Sequence, residues 1–145
     1  MADSIKDAVR IYKIVHNLIH FESSAPQGGE VDEGTVLLCQ RLRPAPRLPH
    51  ISDKDRLQHF YYGGIYEMHA IGDDAIAAME MWLRDTLRGS VALAAEVSTR
   101  INPGPLDAGT VLPAVSFAQI SVGDVPGAGG VIFDTWAHYR VCVVT

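Results

Sequence analysis

The first clear pattern in the chain is an apolar stripe near the N-terminus. Apolar residues recur at helical spacing between residues 5 and 19, whereas Lys6, Arg10 and Lys13 fall on the opposite face. Ser4 stands just before this stretch, where its side chain can cap a helix. The pattern therefore predicts an amphipathic helix over residues 5–19.

Two stretches in the first half have the composition of strands. Residues 35–42 begin β-branched and apolar and then alternate, and residues 60–70 are aromatic and β-branched around Gly63 and Gly64. We predict a strand in each, the second with a bulge at its glycines. Residues 43–59 contain three prolines and no period, so we predict a long irregular connection there.

Helical patterns return after the second predicted strand. Asp73 and Asp74 can cap a helix whose apolar stripe runs to residue 87. Gly89 is a typical helix end, and Ser90 can begin a second, shorter helix. Two consecutive helices are therefore predicted in this region.

The last third of the chain is typical of strands and turns. Residues 101–105 predict a turn, and residues 111–120 predict a strand. The glycine-rich residues 123–130 predict a hairpin tip, which leads into one long final strand over residues 131–145.

Together these elements predict an α+β fold, with helices packed on one face of a mainly antiparallel sheet. We expect one domain spanning residues 1–145. The sequence DEGTVL at 32–37 recurs as DAGTVL at 107–112, which is consistent with an internal duplication into half-repeats 4–70 and 73–145. Coincidence, from similar local requirements, is the alternative.

Composition excludes several classes of protein. The chain has 145 residues, of which 48% are hydrophobic and 20% charged, so it can bury a core and is not a disordered tail. A net charge of −5 argues against a dedicated nucleic-acid-binding domain. No apolar run is long enough to span a membrane, and the N-terminal residues do not resemble a signal peptide. We therefore expect a cytosolic protein without a membrane partner.

Candidate chemical groups are few. His16 and His20 have the spacing of two metal ligands on one helix face, with Glu22 as a third; the alternative is a packed His16 and a solvated His20. Cys39 and Cys142 lack zinc-site spacing and are expected to be buried, inert residues. No constellation supports a reaction, so we predict no catalytic residue, no cofactor and no metal.

The final predicted strand carries large side chains on both faces. Helices can cover one face, and the other face is either solvated or meets another subunit. The candidates for such an interface are Trp136, His138, Arg140 and Tyr139.

A second candidate surface is the basic connection after residue 40. Its cationic side chains include Arg43, Arg47, Lys54 and Arg56. This segment is either a solvated loop or a basic arm that contacts an acidic partner surface or nucleic acid by charge attraction.

Short motifs in the second half resemble a known family. They are LRDTL at 83–87, VALAAEV at 91–97, TRI at 99–101 and LPAVSF at 112–117. In this order, within residues 76–145, they resemble the tail terminator (tail completion) proteins of long-tailed bacteriophages. The resemblance implies helices on an antiparallel sheet and a homo-oligomeric ring, with a hexamer as the expectation. It also implies that the protein caps the tail tube, joins it to the head connector and has no catalytic residues.

The resemblance implies a role for each of the two candidate surfaces. It implies a virion protein, present in the host cytoplasm during assembly, with the Trp136 face between subunits and the basic segment lining a lumen with non-specific DNA contact. The alternatives are a small cytosolic enzyme or ligand-binding domain with a pocket near Asp134, His138 and Arg140, and an adaptor of a contractile or toxin system.

Overall fold

The described part of the chain forms one sheet and three helices. The computed structural model describes residues 2–20, 36–44, 61–72, 74–104, 106, 110–126 and 132–145. The helices are α1 (Ala2–Ile19), α2 (Ala75–Arg88) and α3 (Val91–Val97). The strands are β1 (Val36–Pro44), β2 (Tyr61–Ala70), β3 (Ile101–Pro103), β4 (Ala114–Pro126) and β5 (Ile132–Val144).

The sheet has the order β1-β2-β5-β4-β3, and only the β3–β4 pair is parallel. The predicted α+β class with a mainly antiparallel sheet is therefore confirmed. The first half of the chain supplies α1 and the antiparallel pair β1–β2, and the second half supplies α2, α3, the short β3 and the antiparallel pair β4–β5. The halves meet where β2 pairs with β5, with Tyr66 opposite Tyr139. The duplication itself stays a prediction.

The core lies between the helices and one face of the sheet, which we call the helix face. The buried cluster joins the apolar stripes of the three helices to alternate residues of the strands. In β5 these residues are Ala137, Tyr139, Val141 and Val143. Their neighbours in β5 lie on the opposite side, the open face, because successive side chains in a strand point to opposite sides.

The helix starts follow the predicted capping only in part. The Leu93 backbone N–H donates to Ser90 Oγ at 3.2 Å, so Ser90 caps α3 as expected. Asp74 occupies the N-cap position of α2 but makes no capping hydrogen bond through its side chain. The predicted role of Asp74 is therefore wrong, and the packing of Ala75, Met79 and Leu83 in the core stabilises α2.

The two adjacent glycines of β2 do not form the predicted bulge. The β2–β5 register is continuous across Gly63 and Gly64, and the irregularity lies in β1 between Arg41 and Arg43. A Cβ on Gly63 would lie 2.3 Å from the Val141 carbonyl oxygen, so the glycine is required by a close approach of β5.

The region of the predicted turn and hairpin tip contains more strand than expected. Residues 101–103 form β3, which is too short for a period and is held by pairing with β4. β4 continues through Gly123 to Pro126, whereas residues 127–130 lie outside the described part. Gly123 is needed because the Trp136 ring lies over it, 2.5 Å from where a Cβ would be. Glycine often indicates a turn, but at position 123 it allows the Trp136 ring to lie close to the backbone.

Candidate functional site

Four polar and aromatic side chains form a cluster on the open face, which we call the open-face cluster. Glu67 and His69 come from β2, and Trp136 and His138 from β5, with Glu67 opposite His138 and His69 opposite Trp136. The two Glu67 carboxylate oxygens lie 3.1 Å from His138 Nε2 and 3.2 Å from His69 Nε2. The Trp136 and His138 rings are 5.0 Å apart. The cluster is half-buried.

Glu67 is the centre of this cluster, and sequence reasoning missed it. Burial raises the pKa of Glu67, but the hydrogen bonds of His138 and His69 outweigh it and lower the pKa below its usual value. The carboxylate is thus ionised at neutral pH and fixes both imidazole rings. The available signal was the two-residue spacing of Glu67 and His69 within a strand, which puts both on one face.

The predicted interface residues separate onto two faces. Trp136, His138 and Arg140 lie on the open face and are half-buried. The buried Arg140 Nε has no hydrogen-bond partner in the part of the chain that the structure describes. Tyr139 is only 1% exposed and belongs to the core on the helix face, so its proposed place in an interface is wrong. The backbone of Asp134 lies in β5, but its side chain lies outside the described part.

Most of the predicted basic segment lies outside the described residues. Arg43 is exposed near the end of β1. Arg47, Lys54 and Arg56 are not among the described residues, so the structure does not bring this group together.

A second polar cluster lies between α1 and the sheet, and we call it the tyrosine–histidine network. His16 Nδ1 is hydrogen-bonded to the Tyr66 hydroxyl at 2.8 Å, and that hydroxyl is also hydrogen-bonded to the Tyr12 hydroxyl. His20 stacks on His16, with ring centroids 4.6 Å apart. Burial is the main reason that the pKa of both tyrosines is raised, so their hydroxyls stay neutral.

This network decides between the two interpretations of the α1 histidines. His16 is packed against Tyr66, as expected if the two histidines do not bind a metal. His20 is half-buried rather than fully solvated. Glu22 lies outside the described residues. Within the described ranges no group of three His, Cys, Asp or Glu side chains is arranged to hold a metal ion.

The position of His16 predicts that stability depends on pH. Burial, and then the neighbouring His20 and Arg41, lower the pKa of His16 from its usual 6.5. Below about pH 6.5 the His16 imidazole therefore takes up a proton more readily in the unfolded chain than in the folded one. The free energy of unfolding thus falls as the pH falls toward the pKa that His16 has in the folded protein. Urea unfolding at about pH 7.5 and about pH 5.5 should show this loss, and His16→Gln should reduce it.

The pH window separates the protonation of His16 from that of Glu67. The pKa of Glu67 is lowered from its usual value, so protonation of Glu67 affects stability only at more acidic pH. An equal loss of stability in the wild type and in His16→Gln would contradict the assignment.

The two cysteines match their predicted role. Cys39 and Cys142 are free and buried in β1 and β5. Burial raises the pKa of each thiol to about 12, so neither forms an appreciable thiolate at neutral pH.

No family model, no curated protein and no solved structure matches this chain significantly. Among the described helices, none is long and apolar enough to cross a membrane.

Proposed function

We propose that the protein is a structural subunit of a tailed-bacteriophage virion, of tail terminator or neck type. It assembles as a homo-oligomeric ring that joins the tail tube to the head connector and carries out no reaction. The proposal begins from the resemblance of residues 76–145 to tail terminator proteins. The fold is of the kind that this resemblance implies, with helices on one face of a mainly antiparallel sheet.

The observation that carries the ring is an apolar corner that wraps around one edge of the sheet. It is formed by Val122, which pairs with Ala137 of the helix face, by Ile120 near it in β4, and by Trp136 of the open face. Ile120 and Val122 are 45% and 47% exposed, and Trp136 lies over Gly123 of the same strand. β3 pairs only with residues 115–117, so this part of β4 has no described neighbour on its outer side. Exposed apolar side chains that cluster at one corner are typical of a contact surface.

The contact we propose depends on side chains rather than on backbone pairing between subunits. Both edges of the sheet are irregular. The register shifts between Arg41 and Arg43 in the edge strand β1, and between Gln119 and Ser121 in the part of β4 beyond its pairing with β3. Such irregularities discourage strands of two molecules from pairing edge to edge. The apolar corner, which shares Trp136 with the open-face cluster, is therefore the surface that a neighbouring subunit would cover.

The proposal is tested first by the mass of the protein in solution. Light scattering after size exclusion, at several protein and salt concentrations, should give a closed oligomer, and negative-stain images should show rings. A monomer at every concentration, both alone and in the presence of tail-tube protein, would contradict the ring.

The variant Trp136→Asp should break the ring into smaller species, because a carboxylate at the apolar corner would lose its hydration in the contact. Met81→Asp is the matched control: Met81 is 53% exposed on α2, on the opposite side of the sheet, and should keep the oligomer intact. Circular dichroism confirms that both variants are folded. An unchanged Trp136→Asp oligomer would remove the corner from the interface.

One observation favours the alternative function, which is that of a small enzyme or ligand-binding domain. The Glu67 carboxylate holds His138 beside the half-buried Arg140, which is where the sequence predicted a pocket for an enzyme or ligand-binding domain. Retention of a small molecule by the monomer would support that alternative.

A further inference from the structure

Arg41 lies beside the tyrosine–histidine network. Its guanidinium carbon lies 5.3 Å from the ring centre of Tyr12 and 5.9 Å from that of Tyr62. Gly64 leaves the room for this arrangement, because a Cβ there would lie 3.0 Å from Arg41 Nε and 2.8 Å from the Tyr12 hydroxyl oxygen. Two aromatic rings and a glycine thus fix a half-buried guanidinium in one place.

The charge of Arg41 is not balanced within the described residues. No described carboxylate forms an ion pair with it, and its Nε is buried without a hydrogen-bond partner. Arg10 on α1 shows the contrast, because it is paired with both Asp7 and Glu96. A half-buried cation without a counter-charge destabilises the protein unless something else supplies the charge.

A second buried polar atom lies in the tyrosine–histidine network. His20 Nδ1 is buried without a hydrogen-bond partner among the described residues, and the His20 ring stacks on His16 at an interplanar angle of 22°. Arg41 is close enough to His16 for its charge to help lower the pKa of that imidazole. Tyr62, whose ring contacts Arg41, is 37% exposed, so this position is near the surface. The guanidinium therefore lies near the His16 imidazole and the surface, without an ion pair to a described carboxylate.

We propose that the position of Arg41 beside this network is a binding site for a small oxyanion, a phosphate or carboxylate group held by the guanidinium. The planar guanidinium matches both anions through paired N–H donors. A bound anion would balance the charge of Arg41 and favour protonation of the nearby His16 imidazole. The site is on the helix face of β1 and does not depend on the ring, so it can be tested whether or not the ring exists.

The test measures binding of inorganic phosphate and, separately, of succinate by calorimetry at constant ionic strength. Saturable binding of one anion to the wild type at concentrations up to about 20 mM is expected, and the anion that binds more tightly identifies the ligand class. Arg41→Gln should weaken that binding about tenfold or more. Arg43→Gln makes the same charge change at an exposed position two residues away and should change it less than about twofold.

Three outcomes overturn the proposal. They are no saturable binding of either anion to the wild type, equal weakening by the two variants, and unchanged binding in Arg41→Gln. If Arg41→Gln does not fold, Arg41→Lys decides, because it keeps the charge and loses the paired donors. Weaker binding by Arg41→Lys than by the wild type supports the site, and equal binding overturns it.

Discussion

Removal of the Tyr66 hydroxyl is expected to lower the free energy of unfolding by about 2–3 kcal/mol, a large loss for a single atom. Tyr66 is fully buried, and its hydroxyl is the hydrogen-bond partner of both Tyr12 and His16. Tyr66→Phe would leave both of those groups without that partner in the interior. Urea denaturation at neutral pH measures the effect, with an unchanged dependence on urea concentration showing that only stability has changed.

The control is the residue directly opposite in β5. Tyr139 is also buried in the core, but its hydroxyl has no hydrogen-bond partner among the described residues. Tyr139→Phe removes a buried polar atom that no described group satisfies, so it should be neutral or stabilising. If the two Tyr→Phe variants lose the same stability, burial alone accounts for the loss and the hydrogen-bond network is not its cause.

Gly63→Ala is expected to destabilise the protein by about 3 kcal/mol. The new methyl group would meet the Val141 carbonyl oxygen at 2.3 Å and the Cys142 Cα at 2.8 Å. Both are backbone atoms of the central strand β5, so the clash cannot be relieved by a side-chain rotation, and β2 and β5 would have to separate. Thermal and urea unfolding give the loss.

Gly104→Ala separates crowding from backbone strain. Gly104 has φ of +87°, and no atom lies within 4 Å of the place where a Cβ would be. This variant suffers only from the left-handed backbone conformation and should cost about 1 kcal/mol. A loss at position 63 no larger than at position 104 would mean that the close approach of β2 and β5 adjusts easily.

The elements predicted correctly from the sequence are those whose burial is periodic. The predicted stripe of α1 is buried at Ala8, Tyr12, Val15 and Ile19, although Ile5 at its start is 47% exposed. The sequence also predicts β5 as one long strand, but it does not tell which face belongs to the core, because both faces carry large side chains.

The features that the sequence did not reveal depend on contacts between distant residues. β3 forms because Ile101 pairs with Val115, and nothing within residues 101–103 indicates it. Glu67 acquires its role from His138 on the neighbouring strand, and Tyr66 acquires its role from α1. Periodicity reports which residues are buried, but it does not report which side chains meet.

The pairing of β2 with β5 has a consequence for how the chain folds. The two central strands belong to opposite halves of the sequence, as the pairing of Tyr61 with Val144 illustrates. Until β5 has been synthesised, the first half exposes the edge of β2 that β5 later covers. Contacts so distant in sequence slow folding, because a long loop must close before they form. During synthesis α1, β1 and β2 thus depend on β5 for protection against aggregation.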